Sequence, residues 1–141
     1  MKVVGFNFLK VSAEKMHGSF ENLKIDTKID ILDIKEIQTD MFKSKEELVS
    51  FEFGFNMNYN PDVAKIELKG IIVFSLEPKL AKDILKQWKE NKLPSDFRMS
   101  VLNIILRKCN IKALFLEEEM NIPFHFRLPS LSAPDEEKSK K

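Results

Sequence analysis

The side chains best suited to nucleophilic or metal chemistry are few: Cys109, His17 and His125, each far from the others along the chain. A zinc site takes about four ligands, usually Cys or His at short spacings. These three residues supply neither the number nor the spacing. A Cys–His pair can activate a thiolate, but Cys109 falls in an apolar run where a buried thiol keeps its proton. The glycines Gly5, Gly18, Gly54 and Gly70 are too dispersed to build a phosphate-cradling loop. Asp26, Asp30, Glu52 and Glu67 fall on the polar positions of alternating segments, where cross-strand pairing with Lys28, Lys65 and Lys69 accounts for them. The acidic run Glu117-Glu118-Glu119 reads as a solvated helix face. No metal, no cofactor and no catalytic residue is expected, and the chain reads as non-enzymatic.

What remains is apolar surface. Hydrophobic residues make up 43% of the 141 residues, with 12 Phe against one Trp and one Tyr. Such a load favours packing or greasy recognition over the orientation of a polar substrate. Lys+Arg 23 and Asp+Glu 22 nearly cancel, so no net field draws in nucleic acid or an anionic membrane. The basic residues are not interleaved with aromatics on one surface, as single-strand binding needs. Apolar runs such as Ile71 to Phe74 are far shorter than the roughly 20 residues of a membrane span. One cysteine forms no internal disulfide, and the N-terminus lacks the pattern of a secretory leader, so a cytoplasmic address is expected.

Four strands and two helices must position that surface. Val49 to Tyr59 places large apolar residues at every odd position, the period of a strand with one buried face. Asn60-Pro61-Asp62 supplies turn chemistry, and Ala64, Ile66, Leu68, Ile72 and Phe74 resume the alternation, predicting an antiparallel hairpin. Upstream, Ile25, Ile29 and Ile31 form another strand, and the parity change to Leu32 and Ile34 predicts a bulge near Asp33. Phe6, Phe8 and Val11 mark an earlier strand. The polar loop from about Glu36 to Glu47 carries an unexplained apolar pair, Met41-Phe42.

After the sheet the period becomes helical. Pro78 opens a helix in which Leu80, Ala81, Ile84, Leu85 and Trp88 share a face. Leu93-Pro94 breaks it, and Ser95 or Asp96 is the expected cap of a second helix. Phe97, Met99, Val101, Leu102, Ile104, Ile105, Leu106 and Cys109 spread over most of that helix's girth, leaving a narrow polar stripe of Ser100, Asn103, Arg107 and Asn110. A helix apolar on so many sides is covered twice. The sheet is one cover, and a second subunit is the simplest other. Beyond Pro123, Phe124 to Leu131 makes an extended apolar segment, and residues 132–141 form a charged tail unable to order itself. Residues 1–131 are expected to form a single domain of α+β class.

The order of strands then helices, closed by a proline-bounded apolar segment, resembles the SecB family of protein-export chaperones. The residues carrying the resemblance are Phe6-Asn7-Phe8 with Phe20-Glu21, Lys28-Ile29-Asp30-Ile31, Gly70 to Ser75, and Leu93-Pro94 followed by Arg98, Val101, Ile105 and Cys109. The resemblance implies a four-stranded antiparallel sheet with two helices. It also implies a homotetramer built as a dimer of dimers, with the long helices sandwiched between sheets. Family members hold unfolded clients in hydrophobic grooves without ATP, and many hand them to the motor SecA. No motif here locates a SecA-docking face, so that partner is left unassigned.

Physical accessibility selects the sites. Client contact is assigned to Met41, Phe42, Ile122, Phe124, Phe126 and Leu128, which lie in loop or extended segments. Subunit contact is assigned to Phe97, Val101, Leu102, Ile105, Leu106 and Cys109 on the second helix. The function expected is an ATP-independent holdase for non-native polypeptides, with a part in protein export left open. The competing reading is a carrier of a lipid or other apolar small molecule in an enclosed pocket.

Overall fold

A computed structural model describes residues 1–16, 21–38 and 46–133. The strands are β1 (Lys2–Lys15), β2 (Lys24–Ile37), β3 (Glu47–Asn60) and β4 (Ala64–Leu76), followed by the helices α1 (Pro78–Trp88) and α2 (Ser95–Met120). They form one antiparallel sheet in the order β1-β4-β3-β2, with both helices packed on one face. The fold class and the element order agree with expectation.

The odd-numbered row of β3, Val49, Phe51, Phe53, Phe55, Met57 and Tyr59, is wholly shielded from solvent. It sits beside the even-numbered row of β4, with Phe51 opposite Ile72 and Phe55 opposite Leu68. The hairpin turns through a cis Asn60–Pro61 bond and Asp62 at positive φ, closed by Val63 N–H donating to the Tyr59 carbonyl. The bulge expected near Asp33 falls between Ile31 and Asp33, so Leu32 is the unpaired residue and lies over Gly54 on the outer face. Two irregularities in β1, at Val3/Gly5 and Phe8/Lys10, were not anticipated. Gly70 makes room for an aromatic cluster: a Cβ there would come within 2.6 Å of the Phe53 ring and 2.7 Å of the Asn7 carbonyl oxygen. The Phe53 ring stacks on Phe6 with centroids 5.5 Å apart.

On the outer face the ion pairing differs from that expected. Glu67 pairs with Lys10 of β1 at 3.1 Å, and Lys28 pairs with Asp30 of its own strand at 3.9 Å. The hydrogen bond from Lys10 holds the Glu67 carboxyl below the usual range.

In α2 the residues Val101, Ile105, Cys109, Ala113 and Leu116 form one stripe buried on the sheet. Neither Ser95 nor Asp96 caps it: both lie inside the helix, Pro94 occupies the cap position and no side chain bonds there. The C-terminal end closes more tightly. Asn121 adopts the left-handed conformation, its N–H reaches the Glu118 carbonyl, and the Ile122 N–H donates to the Glu117 carbonyl at 2.9 Å. That pair of bonds is the Schellman pattern, with Ile122 as its buried apolar plug. It turns the chain back, so residues 122–128 lie against α2 as a strap.

Candidate functional site

The strap and the outward side of α2 enclose an open cleft of about 410 Å³. Leu106, Ile111 and Leu114 form its apolar helix wall, Phe126 stands opposite, and Asn103, Arg107 and Asn110 are its polar lining. On the other side of Ile111 a second open cleft, about 200 Å³, is bounded by Phe8, Phe115, Lys108 and Lys112. The Lys112 ammonium lies 5.7 Å from the Phe115 ring centre and that of Lys108 5.2 Å from the Phe6 ring. Both lysines thus rest along aromatic faces.

A buried polar network fixes the strap. Glu117, one turn beyond Ala113 on the buried stripe, is completely enclosed. Its Oε2 accepts from the Tyr59 hydroxyl at 2.5 Å, and its Oε1 lies 2.7 Å from Nδ1 of His125. Nε2 of the same ring lies 3.1 Å from Oδ1 of Asn110. The His125 side chain is only 9% exposed, and its ring meets Phe126 edge-on at 4.8 Å. Burial, then the bond to Glu117, pushes the Tyr59 phenol far above its usual range, so it stays a donor. No buried side-chain nitrogen or oxygen among the described residues lacks a partner.

The residues assigned from sequence fall into three groups. Met41 and Phe42, like His17, lie outside the described residues. Of the strap residues, Phe124, Phe126 and Leu128 are exposed, but Ile122 is 3% exposed and serves as the helix plug, which withdraws it from any role that needs access. On α2 the correction is larger. Val101, Ile105 and Cys109 are fully buried against the chain's own sheet, and Phe97, Leu102 and Leu106 lie half-buried on the flanks. The apolar residues left uncovered are Met99, Ile111 and Phe115, exposed by 56%, 63% and 66%. The reason is periodic: positions 101, 105, 109 and 113 share one line on the helix, and the excess apolar residues lie off it. Burial pushes the Cys109 thiol up to about 12, as its apolar setting suggested.

Sequence reasoning missed the network. Glu117 was expected in solvent with Glu118 and Glu119, yet only the latter two are exposed. Two signals pointed the other way. Glu117 continues the four-residue spacing of Cys109 and Ala113, and Tyr59 is the lone phenol in a buried row, where a hydroxyl needs an acceptor. Among the described residues no three His, Cys, Asp or Glu side chains gather as a metal would require, and no helix is long and apolar enough to cross a membrane.

No family model and no curated protein matches the sequence. Among solved structures the fold matches the Mycobacterium tuberculosis Rv1957 SecB-like chaperone, determined in complex with a ChAD peptide from the Rv1956 HigA1 antitoxin. The match covers 93% of this chain and 89% of that one, with a TM-score of 0.56 and 12% identity. At that identity the likeness is one of fold: this chain has the SecB-like architecture.

Proposed function

We propose that this protein is a SecB-like chaperone, a non-enzymatic holdase that binds extended apolar segments of non-native polypeptides and keeps them from aggregating without ATP. The observation that carries this reading is the cleft between α2 and the strap. It is walled by Leu106, Ile111 and Leu114 of α2 and by Phe126 of the strap, is open to solvent, and lies on a strap that also exposes Phe124 and Leu128. An open apolar trough with a polar lining suits an extended chain of varied sequence, because side chains of different size enter without a closed boundary to reject them. The peptide bound by the similarly folded mycobacterial chaperone supports a polypeptide partner. We further assign Met41 and Phe42 to the client surface.

Exposed Phe115 and half-buried Phe97, which share one side of α2, form the face we assign to subunit contact, in a dimer or a dimer of dimers; Met99 and Leu102 lie towards the helix's other side, and Leu106 and Ile111 belong to the cleft. Multiple clefts on one assembly would add avidity to individually weak contacts. A cytoplasmic place and a part in export belong to the same reading, with the translocation motor unassigned. The carrier alternative needs an enclosed pocket, whereas both α2 clefts are open.

Light scattering of an aggregating client tests the proposal. Stoichiometric protein should suppress the signal without nucleotide, and an unchanged signal would overturn the holdase reading. Native mass spectrometry of the purified protein should find no stoichiometric lipid; a retained one would favour the carrier.

A further inference from the structure

The strap carries its apolar residues on a stretch without helix or strand, so something other than a backbone ladder must fix its position. The Schellman turn sets where it begins. Beyond that, His125 is the residue through which side chains grip it, between Glu117 and Asn110 and next to Phe126 of the cleft wall. A carboxylate oxygen only accepts, so Nδ1 carries a proton, and the amide oxygen of Asn110 also only accepts, so Nε2 carries one too. With a proton on each nitrogen the ring faces a fully enclosed carboxylate whose charge it can balance. Tyr59 completes the carboxylate's bonding from β3. The other charged groups near this corner are Lys15 of β1, whose ammonium lies 3.5 Å from the Met120 and Asn121 carbonyls, Arg107 on the cleft, Arg127 on the strap, and the exposed Glu118 and Glu119. None of them replaces Glu117 as the ring's counter-charge.

We infer that Glu117 is the positioning residue of the client cleft: by pairing with the cationic ring of His125 it holds the strap in place as the wall opposite α2. The inference rests on the holdase reading for the word client, but the latch itself is measurable without one. Its signature is a pH dependence that appears when the charge is removed and the shape is kept. In Glu117→Gln a neutral ring satisfies every partner: Tyr59 donates to the new amide oxygen, the amide nitrogen donates to Nδ1, and Nε2–H donates to Asn110. A protonated ring in that variant is a buried cation without a counter-charge. The strap of Glu117→Gln should therefore stay seated at pH 7.5 and release at pH 5.5, through the range where an imidazole ordinarily charges. The wild-type strap should stay seated at both.

The full-length protein is digested with trypsin at both pH values, and cleavage after exposed Arg127 is followed by mass spectrometry, each rate divided by that of wild type. For Glu117→Gln the ratio should be near one at pH 7.5 and rise about tenfold or more at pH 5.5. For Glu117→Met it should be raised at both. The ring nitrogen shifts of His125, with His17 replaced, should report a cation in wild type and a neutral ring in Glu117→Gln at pH 7.5. A flat profile for Glu117→Gln, or a Glu117→Met strap as resistant as wild type, overturns the latch. The affinity for a labelled, permanently unfolded polypeptide rich in Phe and Leu is measured on the same samples and should fall in step with cleavage. Cleavage that switches while affinity does not overturns the positioning role. Failure of wild type to bind that polypeptide is a separate result, which removes the holdase reading and leaves the cleavage ratios to decide the latch.

Discussion

Replacing Tyr59 by Phe removes one oxygen from a fully buried side chain and leaves the ring packing of β3 in place. The lost group is the donor to Oε2 of Glu117, 2.5 Å away. A hydrogen bond to an ionised partner contributes about 1.5–3 kcal/mol, and the space left is too small to add a cavity cost of note. Tyr59→Phe should therefore destabilise the protein by about 2 kcal/mol. The same change made in a Glu117→Met background should act in the opposite direction. There the phenol has lost its acceptor, and a buried orphan hydroxyl costs about 1–3 kcal/mol, which Phe relieves. The two effects differ in sign, giving a coupling energy of about 3–5 kcal/mol, at or above the upper end of what paired side chains show. Urea unfolding at pH 7 measures it, followed by Trp88 fluorescence at one fixed protein concentration because assembly adds to apparent stability. If Tyr59→Phe costs the same in both backgrounds, the phenol and the carboxylate are not coupled and the account of the strap's anchor is wrong.

Phe115→Asp, on the most exposed apolar position of α2, should lower the mass found by light scattering after gel filtration while leaving the far-ultraviolet spectrum unchanged; an unaltered mass would remove that face from assembly. Gly70→Ala should destabilise by about 1–2 kcal/mol, because the new methyl overlaps the Phe53 ring and a β1 carbonyl, and a neutral or stabilising result in thermal melts would show that the cluster yields. The Cys109 thiol, pushed up to about 12 by burial, should react with a disulfide reagent at pH 7.5 about a hundredfold or more faster in urea than in the folded chain. Comparable rates would contradict its place under α2.

The sheet was legible because its signal is local. Alternation along Val49–Tyr59 and Ala64–Phe74 is written in adjacent residues, and the parity slip at Leu32 marks the bulge within a few positions. The irregularities of β1 were harder to read, since the apolar pairs Val3-Val4 and Phe8-Leu9 blur the alternation; the change from Phe6 and Phe8 to Val11 is a parity slip of the same kind that sequence reasoning passed over. For α2 the total apolar content was readable but its division between faces was not, because Val101 and Ile111 differ in what lies beside them and not in chemistry. The network was hidden for a related reason. Tyr59 and Glu117 are 58 residues apart, and an acidic triplet carries no mark of which carboxylate turns inward. Only the spacing from Cys109 through Ala113 to Glu117, combined with the need of a buried phenol for an acceptor, gave a handle on it.

The anchor of the strap draws on three separate parts of the chain: Tyr59 from β3, Glu117 and Asn110 from α2, and His125 from the strap itself. It therefore does not exist until the hairpin has formed and α2 has docked on it, whatever route folding takes. The strap's anchor closes no earlier than the meeting of β3 with α2. A copy in which β3 and α2 have not yet met therefore lacks the anchor of the second cleft wall. In pulsed hydrogen exchange the strap should gain protection no earlier than α2.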